Sequence, residues 1–135
     1  MASILKVDTL TGVTTAGSIS VTGEGNSTTT NLQQGLAKHW ARIDQTSSNA
    51  VADSFNNASV TDGGTGITTF NNTTNMGNGN HAPAMSTEVQ SSYTSIGNSI
   101  LSSGVTTSGM KGYHTENASA QDTQTFIMQT FGDLA

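Results

Sequence analysis

The most regular pattern of apolar and polar positions lies near the carboxyl end of the chain, in residues 124–131. Two sets of side chains alternate there, with Phe126, Met128 and Thr130 in one phase and Ile127, Gln129 and Phe131 in the other. Successive side chains of a strand point to opposite faces, so this alternation predicts a β-strand. Because both phases carry apolar residues, we expect one face to meet the core and the other to meet a neighbouring subunit.

Shorter segments with the same period precede this strand. Further strands are predicted in His39–Asp44, Ala50–Thr61, Gly66–Phe70, His81–Val89 and Met110–His114. Pro83 cannot donate a ladder hydrogen bond, which favours an edge position for its strand. The run Asp62-Gly63-Gly64 is typical of a turn, and outward-facing loops are predicted in residues 71–80 and 102–109. The segment Tyr93–Leu101 fits either a strand or a helix.

Many short strands joined by turns predict a mainly β fold. We expect an antiparallel β-sandwich of jelly-roll-like type over residues 39–135. Trp40, the only tryptophan, is interpreted as a core residue, because large aromatic side chains dominate burial in small domains. The alternative for Trp40 is an exposed platform for a saccharide.

The first 38 residues have a different character. Residues 1–30 are rich in Thr, Gly and Ser, with short apolar runs, and predict an extended arm that docks on a partner; the alternative is an unstructured tail. Residues 31–38 predict a connector with one or two helical turns, in which Leu32 and Leu36 share a face. The apolar residues expected to dock the arm are Ile4, Leu5, Val7 and Leu10.

Composition indicates that the chain works as an oligomer. Leu, Ile, Val and Phe total only 24 of 135 residues, whereas Ser, Thr and Asn number 17, 23 and 12. Charged residues make up just 10% of the chain, so the charge that usually maintains disorder is missing. A chain with so few apolar residues can offset the entropy of folding by sharing a core with identical copies. We therefore expect a homo-oligomer, and a homotrimer is the expected oligomeric state. The expected interface is formed by Leu32, Leu36, Trp40, Ile127 and Phe131.

Charge and sequence signals exclude several classes of protein. The net charge is −5 and only four residues are basic, so no cationic face for nucleic acid is expected. The chain has no Cys, which excludes disulfides and thiolate chemistry. No apolar run approaches the ~20 residues that span a membrane, and residues 1–8 lack the pattern of a secretion signal. We expect synthesis in a cytoplasm and no insertion into a membrane.

No set of residues with catalytic spacing is present. His39, His81 and His114 are far apart in sequence and lack the spacing of metal ligands. Asp44, Asp53 and Asp62 recur every nine residues, but Asp is ordinary in turns. We therefore predict no enzymatic activity, no cofactor and no metal. The alternatives left open are a metal on a three-fold axis and an enzyme acting on surface polysaccharide.

Several segments resemble a known family. The start of the chain, Met1-Ala-Ser-Ile-Leu-Lys-Val-Asp-Thr-Leu10, is similar to the amino termini of fibre-like structural proteins of marine tailed bacteriophages, such as cyanophages and their relatives. Those proteins share a domain with a Lys-x-Trp strand, an Asp-Ser-Phe-Asn strand and a Thr-Asp-x-Gly-Thr-Gly turn. The matching segments here are Ala37–Asp44, Val51–Asn56, Ala58–Gly66 and Phe126–Asp133.

The resemblance implies a virion protein assembled in the host cytoplasm. It implies a short tail fibre-like subunit whose amino-terminal arm docks on another virion protein of the tail or capsid, and whose β-domain contacts a host surface receptor. The chain departs from the family in its short stalk, in His81–Met85 and in residues 86–109. The short stalk makes a second role competitive, that of a capsid or tail decoration protein that stabilises the particle without a receptor.

Overall fold

The computed structural model describes residues 4–13, 19–23, 29–88 and 95–132. Its contacts divide the chain into two compact units, residues 1–35 and 36–135. The boundary falls inside the connector predicted for residues 31–38.

The first unit contains little regular structure in its described part. Strands β1 (Ser20–Thr22) and β2 (Thr29–Asn31) form a short antiparallel pair. The pair leads into helix α1 (Leu32–Gly35), whose first residue donates its backbone N–H to the Ile19 carbonyl over 2.9 Å. The helix is one turn long and ends before Leu36, so Leu36 lies beyond the helical face that the sequence predicts. The sequence also predicts a loop over residues 24–30, of which residues 24–28 lie outside the described residues.

The second unit is built from two antiparallel sheets. Its strands are β3 (Ala37–Asp44), β4 (Ala50–Phe55), β5 (Asn57–Asp62), β6 (Ile67–Asn72), β7 (Ala82–Thr87), β8 (Ile96–Thr106), β9 (Gly109–Glu116), β10 (Ser119–Ala120) and β11 (Phe126–Phe131). Sheet I has the strand order β4–β3–β11–β7, and sheet II has the order β5–β6–β9, with β8 and β10 also pairing with β9. A 3-10 turn, Gln45–Ser47, follows β3.

The two sheets share one apolar core. The centroids of the Phe70 ring in sheet II and the Phe126 ring in sheet I are 5.7 Å apart, with the ring planes tilted by 53°. Gly112 makes room for this contact, because a Cβ at that position would lie 2.8 Å from the tip of the Phe126 ring. The fully buried apolar residues of the core are Ala41, Ile43, Phe70, Met110, Phe126 and Met128.

A network of polar side chains is buried beside the apolar core. Gln45 donates to the Thr68 hydroxyl over 3.0 Å and accepts from the backbone N–H of Thr123 over 3.1 Å. The Thr68 hydroxyl in turn donates to the Asn49 side chain. Buried polar groups cost stability unless they are hydrogen-bonded. These partners therefore allow polar residues to occupy interior positions in a chain that is short of apolar ones.

The structure confirms the mainly β, antiparallel fold. Strand β11 buries Phe126, Met128 and Thr130 and leaves Ile127 and Phe131 on the opposite face, which is the division predicted from the alternation. Strand β7, which contains Pro83, lies at the edge of sheet I. The ambiguous segment around residues 96–101 is strand, whereas Tyr93 lies outside the described residues.

Two other expectations about the fold are wrong. A jelly roll is built from two Greek keys. Here β3–β4 is a hairpin within sheet I, and β5–β6 and β8–β9 are hairpins within sheet II. In sheet I, β11 lies between β3 and β7. Residues 102–109 are mostly strand instead of an outward loop, since β8 runs on to Thr106 and β9 starts at Gly109. After an irregularity in the ladder, Val105 and Thr106 pair with Met110 and Gly109 of β9, and β-branched residues of this kind favour strands.

Trp40 does not belong to the core. The inner phase of β3 is His39, Ala41 and Ile43, which are fully buried; in the other phase Lys38 is 8% exposed and Trp40 is half-buried. His39 packs edge-on against the Phe70 ring of sheet II, with the centroids 5.9 Å apart, so a polar ring takes a place in the inner phase of β3. Residue size alone therefore predicted the wrong face for Trp40.

Replacing Phe126 tests whether this contact holds the two sheets together. We expect Phe126→Ala to lower the free energy of unfolding by about 3–5 kcal/mol, because it removes a fully buried ring and leaves a cavity. Urea unfolding followed by fluorescence measures the change. Gln129→Ala, an exposed position on the same strand, is the matched control and is expected to stay within about 0.5 kcal/mol of the parent. Equal effects of the two substitutions would contradict the description of the core.

Candidate interaction surfaces

The outer face of sheet I carries a group of large apolar side chains. Antiparallel pairing sets Trp40 of β3 opposite Phe55 of β4 and Gln129 of β11. Phe55 is 51% exposed, and Trp40, Ile127 and Phe131 are half-buried. We call these four residues the outer patch. They stand on three adjacent strands, on the side of the sheet that faces away from the core.

The outer patch is electrically balanced. Arg42 lies directly opposite Asp53 on β4 and opposite Ile127 on β11. Arg42 also donates from Nη2 to the Thr125 hydroxyl over 3.3 Å. Lys38 and Asp44 lie in the same phase of β3 as Arg42, so two cations and two carboxylates balance on this face, although the whole chain carries a net charge of −5. Two copies can therefore approach through this face without charge repulsion.

Three residues of the predicted oligomer interface lie together on this face: Trp40, Ile127 and Phe131. The other two do not join a described cluster with them, since Leu32 belongs to the first unit and Leu36 is an exposed residue before β3. Phe55 is a member of the patch that sequence reasoning missed. Its signal was the Asp-Ser-Phe-Asn run, but the sequence does not show that Phe55 pairs with Trp40.

Residues 4–13 leave their apolar side chains uncovered. They form neither strand nor helix. Ile4 and Leu5 are 79% and 82% exposed. An extended segment gains its ladder hydrogen bonds only from a partner strand. The exposed apolar residues of this segment are Ile4, Leu5, Val7, Leu10 and Val13.

The three carboxylates that recur every nine residues have local structural roles. Asp44 caps the 3-10 turn by accepting from the Thr46 backbone N–H over 2.9 Å, and the hydrogen bonds from Thr46 lower its pKa. Asp53 accepts from the backbone of the next residue, Ser54. Asp62 accepts from the backbone N–H of Gly64 over 2.8 Å and closes the turn between β5 and β6. Each carboxylate thus serves its own strand end or turn.

The three histidines are buried but have different surroundings. His114 has partners on both ring nitrogens, with Asn98 at 2.9 Å and Glu116 at 3.3 Å. His39 contacts Asn57 through Nε2 at 3.3 Å, and His81 contacts the Thr106 carbonyl through Nε2 at 2.9 Å. The Nδ1 atoms of His39 and His81 have no hydrogen-bond partner. In the described part of the chain, no three His, Asp or Glu side chains gather as a metal site would require.

Comparison with known proteins gives no match to a protein-family model, a curated protein or a solved structure. Within the described ranges, no helix is long and apolar enough to cross a membrane. The described turns between strands are polar: Asp62–Gly66, residues 73–80, residues 107–108 and residues 117–118 contain no aromatic side chain. In the described ranges, the exposed large apolar side chains lie in residues 4–13, on β1 and β4 and at Leu36, and not at these turns.

Burial of His39 makes the stability of the fold depend on pH. Desolvation lowers the pKa of His39, and the nearby His81 lowers it further, whereas the hydrogen bond with Asn57 raises it. The unfolded chain therefore binds a proton at His39 at a higher pH than the folded chain does. Stability from this residue is full above a pH of about 6.5 and is lost as the pH falls below that value.

We expect the free energy of unfolding to fall between pH 7.5 and pH 5 with a contribution from His39 of at most about 1.4 kcal/mol per pH unit. Urea unfolding in metal-free buffer at a series of pH values measures the slope. In His39→Gln the slope is expected to be smaller by that contribution. An identical slope in the two proteins would show that His39 does not cause the loss.

Proposed function

We propose that this chain is a non-enzymatic structural subunit of the virion of a marine tailed bacteriophage, and that it works as a homo-oligomer. The observation that carries the proposal is the outer patch. A β-domain with few apolar residues nevertheless keeps three aromatic rings and an isoleucine on adjacent strands of an outer face. Large exposed apolar patches usually mark interaction sites. The resemblance of the chain to fibre-like virion proteins supports the kind of assembly.

Copies of the chain pair through the outer patch in this proposal. Trp40 and Phe55 supply contact area at low entropic cost, and aromatic residues are enriched at the centres of interfaces. Arg42 and Asp53 stand beside the rings as a charge pair that a second copy can match. A trimer is the proposed order, in which three copies of sheet I surround one axis.

The amino-terminal arm docks on a second virion protein in this proposal. Its apolar residues are exposed, and its backbone in residues 4–13 is free of the ladders of regular structure. A segment of this kind can add to the edge of a partner sheet through backbone hydrogen bonds. Burial of Ile4, Leu5, Val7 and Leu10 would then remove the exposed apolar surface that otherwise favours aggregation.

The polar turns favour an architectural role, in which the subunit decorates and stabilises a capsid or tail. Recognition of a host receptor remains the second candidate, because the resembled family contains fibre-like proteins. Experiments on particles that lack the protein distinguish the two roles. Loss of stability to heat or low salt at a normal rate of adsorption identifies decoration, whereas loss of adsorption by stable particles identifies host attachment. Particles unchanged in both properties would contradict the proposed function.

The outer patch can be tested with a charge. We expect Phe55→Arg to convert the oligomer into a folded monomer, because a buried unpaired charge costs several kcal/mol. A cost of about 3 kcal/mol weakens association roughly 100-fold. Sedimentation velocity measures the oligomeric state and circular dichroism checks the fold.

The control for this test carries the same charge on the other sheet. Thr61→Arg places it on β5, at an exposed position of sheet II, and should leave the oligomer unchanged. A parent protein that is a folded monomer at micromolar concentration would refute self-association. Dissociation by Thr61→Arg alone would move the interface to sheet II.

The arm can be tested by deletion at the boundary between the two units. Removal of residues 1–35 should leave the second unit folded and oligomeric but abolish incorporation into particles, because the docking residues are lost. Ile4→Asp with Val7→Asp should have the same effect, since a charge in an apolar contact is expensive. Lys6→Ser, an exchange of one polar residue for another in the same segment, is the matched control.

Quantitative blotting of purified particles measures the occupancy of the subunit. Normal occupancy of the truncated protein would contradict docking through the arm. Unfolding of the truncated protein would show that the arm belongs to the fold, and would move the docking surface elsewhere.

A further inference from the structure

The exposed segment between β6 and β7 contains an asparagine that is followed by a glycine, Asn78-Gly79. Among the 12 asparagines of the chain, Asn78 is the one with this neighbour. The side-chain amide of an asparagine can be attacked by the backbone nitrogen of the next residue. A glycine hinders that attack least, because it has no Cβ and the widest range of φ. The pair therefore has the sequence that favours spontaneous loss of the amide.

The turn prepares the carbonyl that is attacked. The backbone N–H of Asn80 donates to Asn78 Oδ1 over 2.7 Å, which is the hydrogen bond of an Asx turn. When a nucleophile adds to the side-chain carbon Cγ of Asn78, negative charge develops on Oδ1. A donor that already points at the atom where charge develops stabilises the transition state. The Asn80 N–H is thus placed as an oxyanion donor.

The attacking nitrogen is free to move. In the described part of the chain, the backbone N–H of Gly79 has no hydrogen-bond partner. A Cβ built on Gly79 would meet nothing within 4 Å, so open space surrounds the residue. The Gly79 nitrogen can therefore lose its proton to a base from solvent and approach Cγ of Asn78. Neither step breaks a hydrogen bond or displaces a neighbour.

A second Asx turn in the chain has the same carbonyl arrangement but holds its nitrogen. Asp62 Oδ1 accepts from the Gly64 N–H over 2.8 Å, as Asn78 Oδ1 accepts from Asn80. The N–H of the intervening Gly63 donates to the Ile67 carbonyl over 3.0 Å, and Gly63 packs against the Ile67 side chain. Attack by the Gly63 nitrogen would first have to break these contacts.

Asn75 is an exposed asparagine of the same segment, and its neighbour is also held. Met76 is 1% exposed, and its backbone N–H donates to the Thr107 carbonyl over 2.8 Å. The nitrogen that would attack Asn75 is therefore buried and hydrogen-bonded. The free nitrogen and the prepared carbonyl occur together at Asn78.

We propose that Asn78 is a site of spontaneous deamidation, at which the chain modifies itself with solvent as the co-reactant. The Gly79 nitrogen gives up its proton to a base from solvent and bonds to Cγ of Asn78. The side-chain amide nitrogen takes a proton from solvent and leaves as ammonia. One water molecule then opens the five-membered succinimide at either of its two carbonyls. The products are aspartate and isoaspartate, and no atom is oxidised or reduced.

The modification changes both the charge and the backbone of this segment. It adds one negative charge to each copy of a chain whose net charge is −5. In the isoaspartate product the main chain runs through Cβ and Cγ, so the path from Met76 to His81 gains one carbon atom. Both ends of that path are fixed, because Met76 donates to the Thr107 carbonyl and His81 contacts the Thr106 carbonyl. The altered backbone is therefore confined to a short exposed turn, and the fraction of altered copies rises with age.

Mass spectrometry of the aged full chain tests the site. The folded protein is incubated in mildly alkaline buffer made with ¹⁸O-labelled water and is then digested with pepsin in acid, where the reaction stops. Fragmentation that distinguishes aspartate from isoaspartate locates the label. We expect one ¹⁸O atom at position 78, in a mixture of the two products, and none at Asn75. Asp62, which can form the same succinimide with Gly63, should take up less label in the same time.

Two variants link the reaction to the free glycine nitrogen. Gly79→Ala should slow labelling at position 78 at least about tenfold, because a Cβ hinders the nitrogen, and this factor corresponds to about 1.4 kcal/mol of activation free energy. Thr107→Ala, which changes an exposed side chain of a neighbouring turn, is the matched control and should keep the parent rate.

The measurement on the parent protein stands whether or not a variant folds. Absence of label at position 78 after prolonged incubation would overturn the proposal. Equal labelling of Asn75 and Asn78 would also overturn it, since the reaction would then not depend on the free nitrogen. A parent rate in folded Gly79→Ala would have the same meaning.

Discussion

The contact between Phe70 and Phe126 is the interaction on which the rest of the second unit depends. It joins the two sheets, in a chain whose Leu, Ile, Val and Phe together number only 24. Gly112 opposite the ring allows the sheets to approach closely. Because the fully buried apolar side chains of the described residues are these two rings, the four smaller ones packed with them and Met76, the interior must be completed by polar residues.

Those polar residues explain the unusual composition. Gln45, Asn49, Thr68 and Thr123 are buried in one hydrogen-bonded network that links the turn after β3 to β6 and to the segment before β11. Such a network stabilises an interior only when its members find partners. The Nδ1 atoms of His39 and His81 do not belong to this network. They are buried, and no donor in the described part of the chain reaches them.

The strands could be predicted from the sequence to a useful degree, and the pairing could not. Period-two alternation identified β3, β7, β9 and β11, and Pro83 correctly indicated an edge strand. The jelly-roll-like order failed because alternation carries no information about which strands become neighbours. The inward phase of β3 was also out of reach, since the contact of His39 with Phe70 of the other sheet cannot be read from the sequence. Three of the four residues of the outer patch were named from the sequence. Phe55 was missed because its pairing with Trp40 is a property of the β3–β4 hairpin.

The central strands β3 and β11 connect folding with the proposed assembly. Each of them turns one phase to the core and the other to the outer patch, so the same backbone ladder positions Ile43 and Phe126 inside and Trp40 and Ile127 outside. Any partner that binds the outer patch only in the folded state stabilises that ladder by mass action. A small core is then sufficient in the assembled state, since the free energy of association adds to that of folding. Self-association through sheet I would thus explain how a chain so poor in apolar residues maintains two sheets.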